Sequence, residues 1–422
     1  MFNERGIALP MTMIVMVLVA SLGMALVGLA MTEPGISRNL QTGTQARLAA
    51  EAGLEWGFNT LVSTTNWDSL LTSANANAGV LLASSTIPGL TNAHGLYSVS
   101  LRNDTQVGDP ALTGVAVDAS AVLDTNGAVI LTSAGTLGTA TRTVQVVVKR
   151  PPSLPFPGAV VFPGNEAQTS FSADSFEISG HGWKMNGTSD PSCASVYGIS
   201  TNSAIAANET VVENSLSATQ KDNVQGKKQN TSLAGQGDNT IAGNPALTPA
   251  VVKAFIDDAK KNADVVLESK QATGGLSYAN IGSTCASDWN SSTCWGTAAQ
   301  PKIVWVKGEE DPTSNFNALK VTGNTTGHGI LIVEDGDFRI YDNFQWNGPI
   351  IVTGKWVGVG FLGGGTQTVY GALISNETMS DPGYMEGVVT GNATIRYSCE
   401  AIEKALGIRR LVTTRSWREV AP

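Results

Sequence analysis

The sequence predicts an α+β protein: a long N-terminal membrane-spanning helix on a small antiparallel sheet, then a mainly β C-terminal domain. That second domain reads as a β-helix or solenoid with a partly helical insertion. Three observations predict this. An uncharged apolar run follows a six-residue polar leader and continues into an amphipathic pattern. Alternating strands separated by Asn/Asp/Gly turns come next. Glycine-led β-branched runs then recur about 20 residues apart, the spacing of stacked repeats.

The leader is Met1-Phe2-Asn3-Glu4-Arg5-Gly6, and residues 7–32 carry no charge. A run of ~20 apolar residues crosses a bilayer as one helix. A secretory signal has a shorter apolar core and a small-residue cleavage site after it. Neither feature is present, so a cut removing the leader falls after Gly6. A helix starting at Ile7 puts Pro10 in the first turn, where its missing N–H costs nothing.

The helical pattern resumes beyond Glu33-Pro34-Gly35, where a bend is expected. Ile36, Leu40, Thr44, Leu48, Ala52 and Trp56 form one row, and Leu54, Phe58 and Leu61 a second. This i, i+4, i+7 spacing gives a stripe to bury against a domain. The small residues Gly43, Ala46, Ala49, Ala50, Ala52 and Gly53 would let other helices approach closely.

Arg5-Gly6-Ile7-Ala8-Leu9 followed by Ala49-Ala50-Glu51-Ala52-Gly53-Leu54-Glu55 resembles the PilX N-terminal family of type IV pilus minor pilins. GspK-like pseudopilins of type II secretion begin similarly. The resemblance covers residues 5–62. It implies cleavage after Gly6 by the prepilin peptidase, N-methylation of Ile7, and assembly with other pilins through the helix. Pro10, Met11, Pro34, Ala49, Glu51, Gly53, Leu54 and Trp56 are the helix residues assigned to assembly. It also implies an inner-membrane protein facing the periplasm or carried to the cell surface. Arg5 is the only positive residue before the apolar run, so the short N-terminal tail before a bulky outer domain is what favours N-in and C-out. Most pilins have a glutamate where this chain has Met11. A carboxylate in lipid needs a partner, and Met11 offers none, which suits a rare tip or priming subunit.

The chain holds 422 residues, of which 14% are charged, with a net charge of −9. The acidic balance and the lack of a basic patch with interleaved aromatics exclude nucleic acid as a partner. The four cysteines are Cys193, Cys285, Cys294 and Cys399. An even count in an exported chain is compatible with disulfides. Cys285 and Cys294 are near enough for a local staple, which leaves Cys193 and Cys399 as a long-range pair. Free thiols are the alternative. Nothing in the spacing supports zinc or another metal.

The domain reading is residues 1–6 leader, 7–62 helix, 63–150 a pilin-like antiparallel β region, 151–158 a Pro-rich linker, and 159–422 the outer domain. Strand candidates in the β region are Tyr97-Val99-Leu101, Val115-Val117-Ala119, residues 129–133 and Val144-Val146-Val148. The repeat signal is carried by Gly329-Ile-Leu-Ile-Val, Gly348-Pro-Ile-Ile-Val, Gly371-Ala-Leu-Ile and Gly391-Asn-Ala-Thr-Ile. A β-sandwich is the competing reading. Residues 199–301 read as an insertion carrying a helix begun by Thr248-Pro249. Residues 400–406 read as a helix capping the open end of the solenoid.

No catalytic set is found, no cofactor is implied, and the reading is non-enzymatic. Glu309-Glu310-Asp311 and Glu334-Asp335-Gly336-Asp337 read as solvated turn acids rather than calcium ligands. His181 and His328, each flanked by glycines, read as turn residues. Trp289 and Trp295 in the cysteine loop are candidates for a sugar or surface contact. The expected function is a minor pilin-like structural subunit acting in pilus assembly, priming or at the tip. The alternatives are an adhesin binding a surface glycan through the β domain, and a membrane-anchored polysaccharide-active β-helix enzyme.

Overall fold

The computed structural model describes residues 8–64, 66–152, 154–228, 240–310, 316–379 and 384–420. Helix α1 (Ala8–Ser63) is 56 residues long and runs through Pro34 without a break. At 1.5 Å per residue it is ~84 Å long. The bend expected at Pro34-Gly35 does not break the helix, which continues on both sides of the proline.

Burial on α1 begins only at Gly43 and then falls on Ala46, Ala49, Ala50, Gly53, Leu54, Gly57 and Leu61. This corrects the expected stripe: Ile36, Leu40 and Leu48 are each more than half exposed. The reason is steric. The helix backbone lies almost on the sheet at Gly53 and Gly57, so small residues dominate there, while Leu54 and Leu61 of the second expected row are buried in the same core. A Cβ on Gly53 would sit 2.2 Å from Ser133 Oγ, and one on Gly135 would sit 2.0 Å from the Ala46 carbonyl oxygen. The small residues thus serve the helix's own sheet rather than a neighbouring helix.

After α2 (Trp67–Ala76), that sheet is built from β1 (Val80–Thr86), β2 (Leu96–Asn103), β3 (Ala128–Leu137) and β4 (Ala140–Lys149), all antiparallel neighbours in chain order. Tyr97, Val99, Leu101, Val129, Leu131, Val144, Val146 and Val148 face α1 and α2 in one core. Val115-Val117-Ala119 form no strand. The short helix α3 (Asp109–Thr113) precedes them, and residues 114–127 form a loop built on side chains. Asn103 Nδ2 donates to Asp118 and to the Ser120 and Leu123 carbonyls, and Asn126 Nδ2 donates to both Asp104 oxygens.

Strands β5 (Gly158–Phe162), β6 (Thr169–Phe171), β7 (Glu177–Ser179) and β8 (Tyr197–Asn202) open the outer region. Helices α4 (Ala207–Asn214) and α5 (Ala218–Lys221) come next, followed by β9 (Val224–Gln225), β10 (Ile241–Asn244) and α6 (Pro249–Ala259). Then come β11 (Val265–Glu268), β12 (Leu276–Ala279), β13 (Lys302–Lys307), β14 (Leu319–Thr322), β15 (Asn324–Glu334) and β16 (Phe338–Ile340). The chain continues through β17 (Asn343–Gly354), β18 (Val359–Phe361), β19 (Thr366–Glu377), β20 (Gly387–Val389), β21 (Asn392–Tyr397) and α7 (Cys399–Leu406).

Among the described residues, the ladders between named strands of the outer region are parallel, and they make three faces around one core. One face runs β10-β8-β5-β19-β17-β15-β13-β11, and a second runs β12-β14-β16-β18-β20-β6. The third is formed by the first halves of β15, β17 and β19 with β21, β7 and β9. Val265, Val304, Leu331, Ile350, Leu373, Val160, Ile199 and Ile241 stack rung upon rung inside. All eight are buried in the interior cluster. Alternate residues point outward, and Ile303, Ile330, Ile332, Ile351 and Ile374 are covered by Val252, Phe255 and Ile256 of α6 and by Ile402 and Ala405 of α7. Strands buried on both faces read as continuous apolar runs, which explains Ile-Leu-Ile-Val and its repeats.

Several sequence expectations change here. The stretch 199–301 is not a simple insertion, because it supplies β8, β10, β11 and β12 to the ladders. The chain enters mid-stack at β5, climbs to β10, and crosses the sheet's outer face with α6. It then winds back from β11 to β19 and closes against β5. The Pro-rich stretch is docked at Leu154 and Phe156, which are buried in the α6/α7 cluster. Helix α7 covers a flank of the stack and not its end. The Gly391 copy is out of step with the others: Gly371 pairs with Tyr397, and Asn392 with Thr366. Finally, β22 (Thr413–Val420) leaves the outer region and pairs with β4. The division at residue 159 therefore fails for the last strand, because the open edge of β4 takes it back.

Candidate functional site

Among the described residues, the longest continuously exposed surface is the first half of α1. From Leu9 to Gln41 every described residue is exposed, and the side chains are apolar as far as Met31 apart from a few Thr, Ser and Gly. Thr12, Ser21 and Thr32 turn their hydroxyls back onto the helix's own carbonyls at 2.8–2.9 Å. That removes the remaining polar groups from the surface, as a lipid environment requires.

Gly6 and Ile7 lie outside the described residues. Pro10 is in the first turn, and Met11 is exposed beside it. Ala49, Gly53 and Leu54 are buried against the sheet, Trp56 is half-buried, and Glu51 pairs with Arg47 at 3.0 Å. Of the residues assigned to assembly, only the Met11 side of the helix and Pro34 are therefore free to meet another subunit. Ile36, Leu40 and Leu48 join them, although the sequence had placed these in the core.

The cysteines are joined as Cys193–Cys399 and Cys285–Cys294. The first ties the loop before β8 to the start of α7. The second closes the loop carrying Trp289. Trp295 is fully buried against Trp346, with ring centroids 6.4 Å apart, and cannot meet a sugar. Trp289 is half-buried under the Lys302 ammonium, 4.1 Å from its ring centroid.

Glu309 and Glu310 are exposed, as expected of solvated acids, but the acids of 334–337 are not solvated turns. Glu334 accepts from Lys260 Nζ at 2.9 Å and Trp305 Nε1 at 2.6 Å. Asp337 is buried and held by Arg339 at 2.6 Å, by Tyr384, and by the Gly358 N–H. Burial, with Glu334 and Glu310 nearby, pushes the Asp335 carboxyl up to about 6. Asp311 lies outside the described residues. Glu166, Glu377 and Glu386 bring their carboxylate oxygens within 4.8 Å of one another. Burial raises the Glu386 carboxyl, which hydrogen-bonds to Glu377. His181 sits in a bend near Ser195, but His328 is inside β15, not in a turn.

No family model matches the chain, and no curated relative matches it. Among solved structures, the chain is similar to the competence-associated pilin ComZ from Thermus thermophilus, with 13% identity and a TM-score of 0.28. That match covers 90% of this chain and 98% of the other. The likeness is too distant to bear on function.

Proposed function

We propose that the chain is a pilin-like structural subunit, held in a membrane by the first half of α1 and assembled laterally with other pilins through that helix. The observation that carries this reading is the division of α1. One half is buried by its own sheet through glycines and alanines, and the other is wholly exposed and apolar. Such a surface is stable only in lipid or against other apolar helices. The resemblance of residues 5–62 to PilX-type minor pilins supports the same reading, with the prepilin peptidase cutting after Gly6. The proposed orientation is N-in and C-out.

The lack of an acid at Met11 favours a subunit present in few copies, at the tip or in the priming complex. The outer domain, read as a β-solenoid, would be the presented part, and its role is structural or adhesive rather than enzymatic. Mass spectrometry of the native N-terminus tests the proposal. A chain starting at N-methylated Ile7 is expected, and an intact Met1 overturns it. Filament and inner-membrane fractions should both contain the protein.

A further inference from the structure

The third face of the outer region carries a polar cleft that the structural role does not use. Its centre is Asn347, in β17. The side chain is only 3% exposed. Neither its Oδ1 nor its Nδ2 has a hydrogen-bond partner among the described residues. On the next strand, its ladder neighbour His328 is half-buried, and its Nδ1 is likewise unpartnered. Both side chains line a cleft of about 460 Å³, together with Gln345, Lys184, Asp190 and Glu400. Buried polar groups are almost always paired, so a folded chain that leaves both ends of an amide open has a position kept for something else.

The chemistry of the walls selects the occupant. Glu400 is neutralised by Lys404 at 2.9 Å and accepts from the Met185 N–H at 3.0 Å. Asp190 accepts from Ser192 and lies in the field of Lys184. Burial and Lys404 hold the His328 imidazole below its ordinary range, so it is neutral at pH 7. The cleft has no net charge to offer an ion of either sign. It offers side-by-side donors and acceptors: an amide N–H and C=O, and an imidazole nitrogen. Adjacent hydroxyl groups, each able to donate and accept, match that set.

The surface beyond the cleft has the same character. Gln345 also belongs to an exposed strip in which Thr326, Gln345 and Thr368 are ladder neighbours, as are Asn324 and Asn343, with the Thr366 N–H donating to Asn343 Oδ1. Neighbouring strands are ~4.8 Å apart, so the strip repeats hydroxyl and amide groups on the scale of one sugar ring.

We propose that this face binds an uncharged oligosaccharide, with one residue seated on Asn347 and His328 and the next ones lying along the Gln345 strip. The site stands whether or not the chain enters a filament.

The test uses the full chain, solubilised in a detergent without a sugar headgroup. The probe is an array of neutral oligosaccharides of glucose, galactose, mannose and N-acetylglucosamine, with sialylated chains as controls. Binding to at least one neutral series is expected, and it should be unchanged by added salt. Asn347→Leu keeps the volume and removes the unpartnered amide, so it should lose about tenfold or more in affinity while melting no earlier than the natural chain. Gln345→Ala, at an exposed position, should weaken binding in the same direction should Asn347→Leu fail to fold. Binding to no neutral probe, binding only to the sialylated controls, or variants that bind as well as the natural chain would overturn the proposal.

Discussion

Single residues fix the geometry of the stack. Gly329, Gly348 and Gly371 have φ of 122°, 135° and 148°, and each turns a long strand from one face to the next. They also touch. A Cβ on Gly348 would lie 2.0 Å from the Gly329 carbonyl oxygen, and one on Gly371 would lie 2.2 Å from that of Gly348. Gly348→Ala combines a forbidden backbone with a clash and should cost about 3 kcal/mol or more in urea unfolding. Asp335 is a second residue with a readable consequence. Its carboxyl is raised from 3.8 to about 6, so the folded chain favours the protonated form. Asp335's contribution to stability is therefore fully present below pH 4 and lost as pH rises through 6. Asp335→Asn suits φ +55° and cannot ionise. It should match the natural chain at pH 4 and exceed it by about 1 kcal/mol at pH 8, after discounting for solvent screening. Equal pH profiles for the two proteins would refute this.

At the scale of the element, α1 separates two kinds of helix surface. The Gly43-to-Leu61 side is specified by closeness to the sheet. Gly53→Val would drive a branched side chain into Ser133 and Tyr97, so it should lift the helix and lower the melting temperature by several degrees. Ile36, Leu40 and Leu48 are exposed, and Ile36 and Leu40 border a groove shared with Arg142 and Glu419. Leu48→Ala should leave the melting temperature within about 1 °C. If the assembly proposal holds, it should also reduce incorporation into filament or priming complexes. A variant that loses stability but assembles normally would reverse the roles assigned to the two sides.

For the whole molecule, closure depends on contacts far apart in sequence. Strand β5 meets β19, β22 meets β4, and Cys193 is joined to Cys399, 206 residues away. On the chain-entropy account, a loop of that length is worth ~5 kcal/mol, against ~2.5 kcal/mol for the Cys285–Cys294 loop of 9 residues. Replacing Cys193 and Cys399 together by serine should lower the urea midpoint of the outer region about twice as much as replacing Cys285 and Cys294.

The sequence by itself determined the elements whose signal is local. These include the uncharged run, the alternation in β2 and β4, the Thr248-Pro249 start of α6, and the glycine-led runs of β15, β17 and β19. Each depends on a residue and its near neighbours. The tertiary structure alone decided which side of α1 is buried, because the sheet's closeness selected the stripe. It also decided that residues 199–301 supply strands to the stack, that the last strand returns to the first sheet, and that Asn347 and His328 share a cleft. Those outcomes depend on which strand lies beside which, and parallel neighbours bring together residues that no local pattern connects.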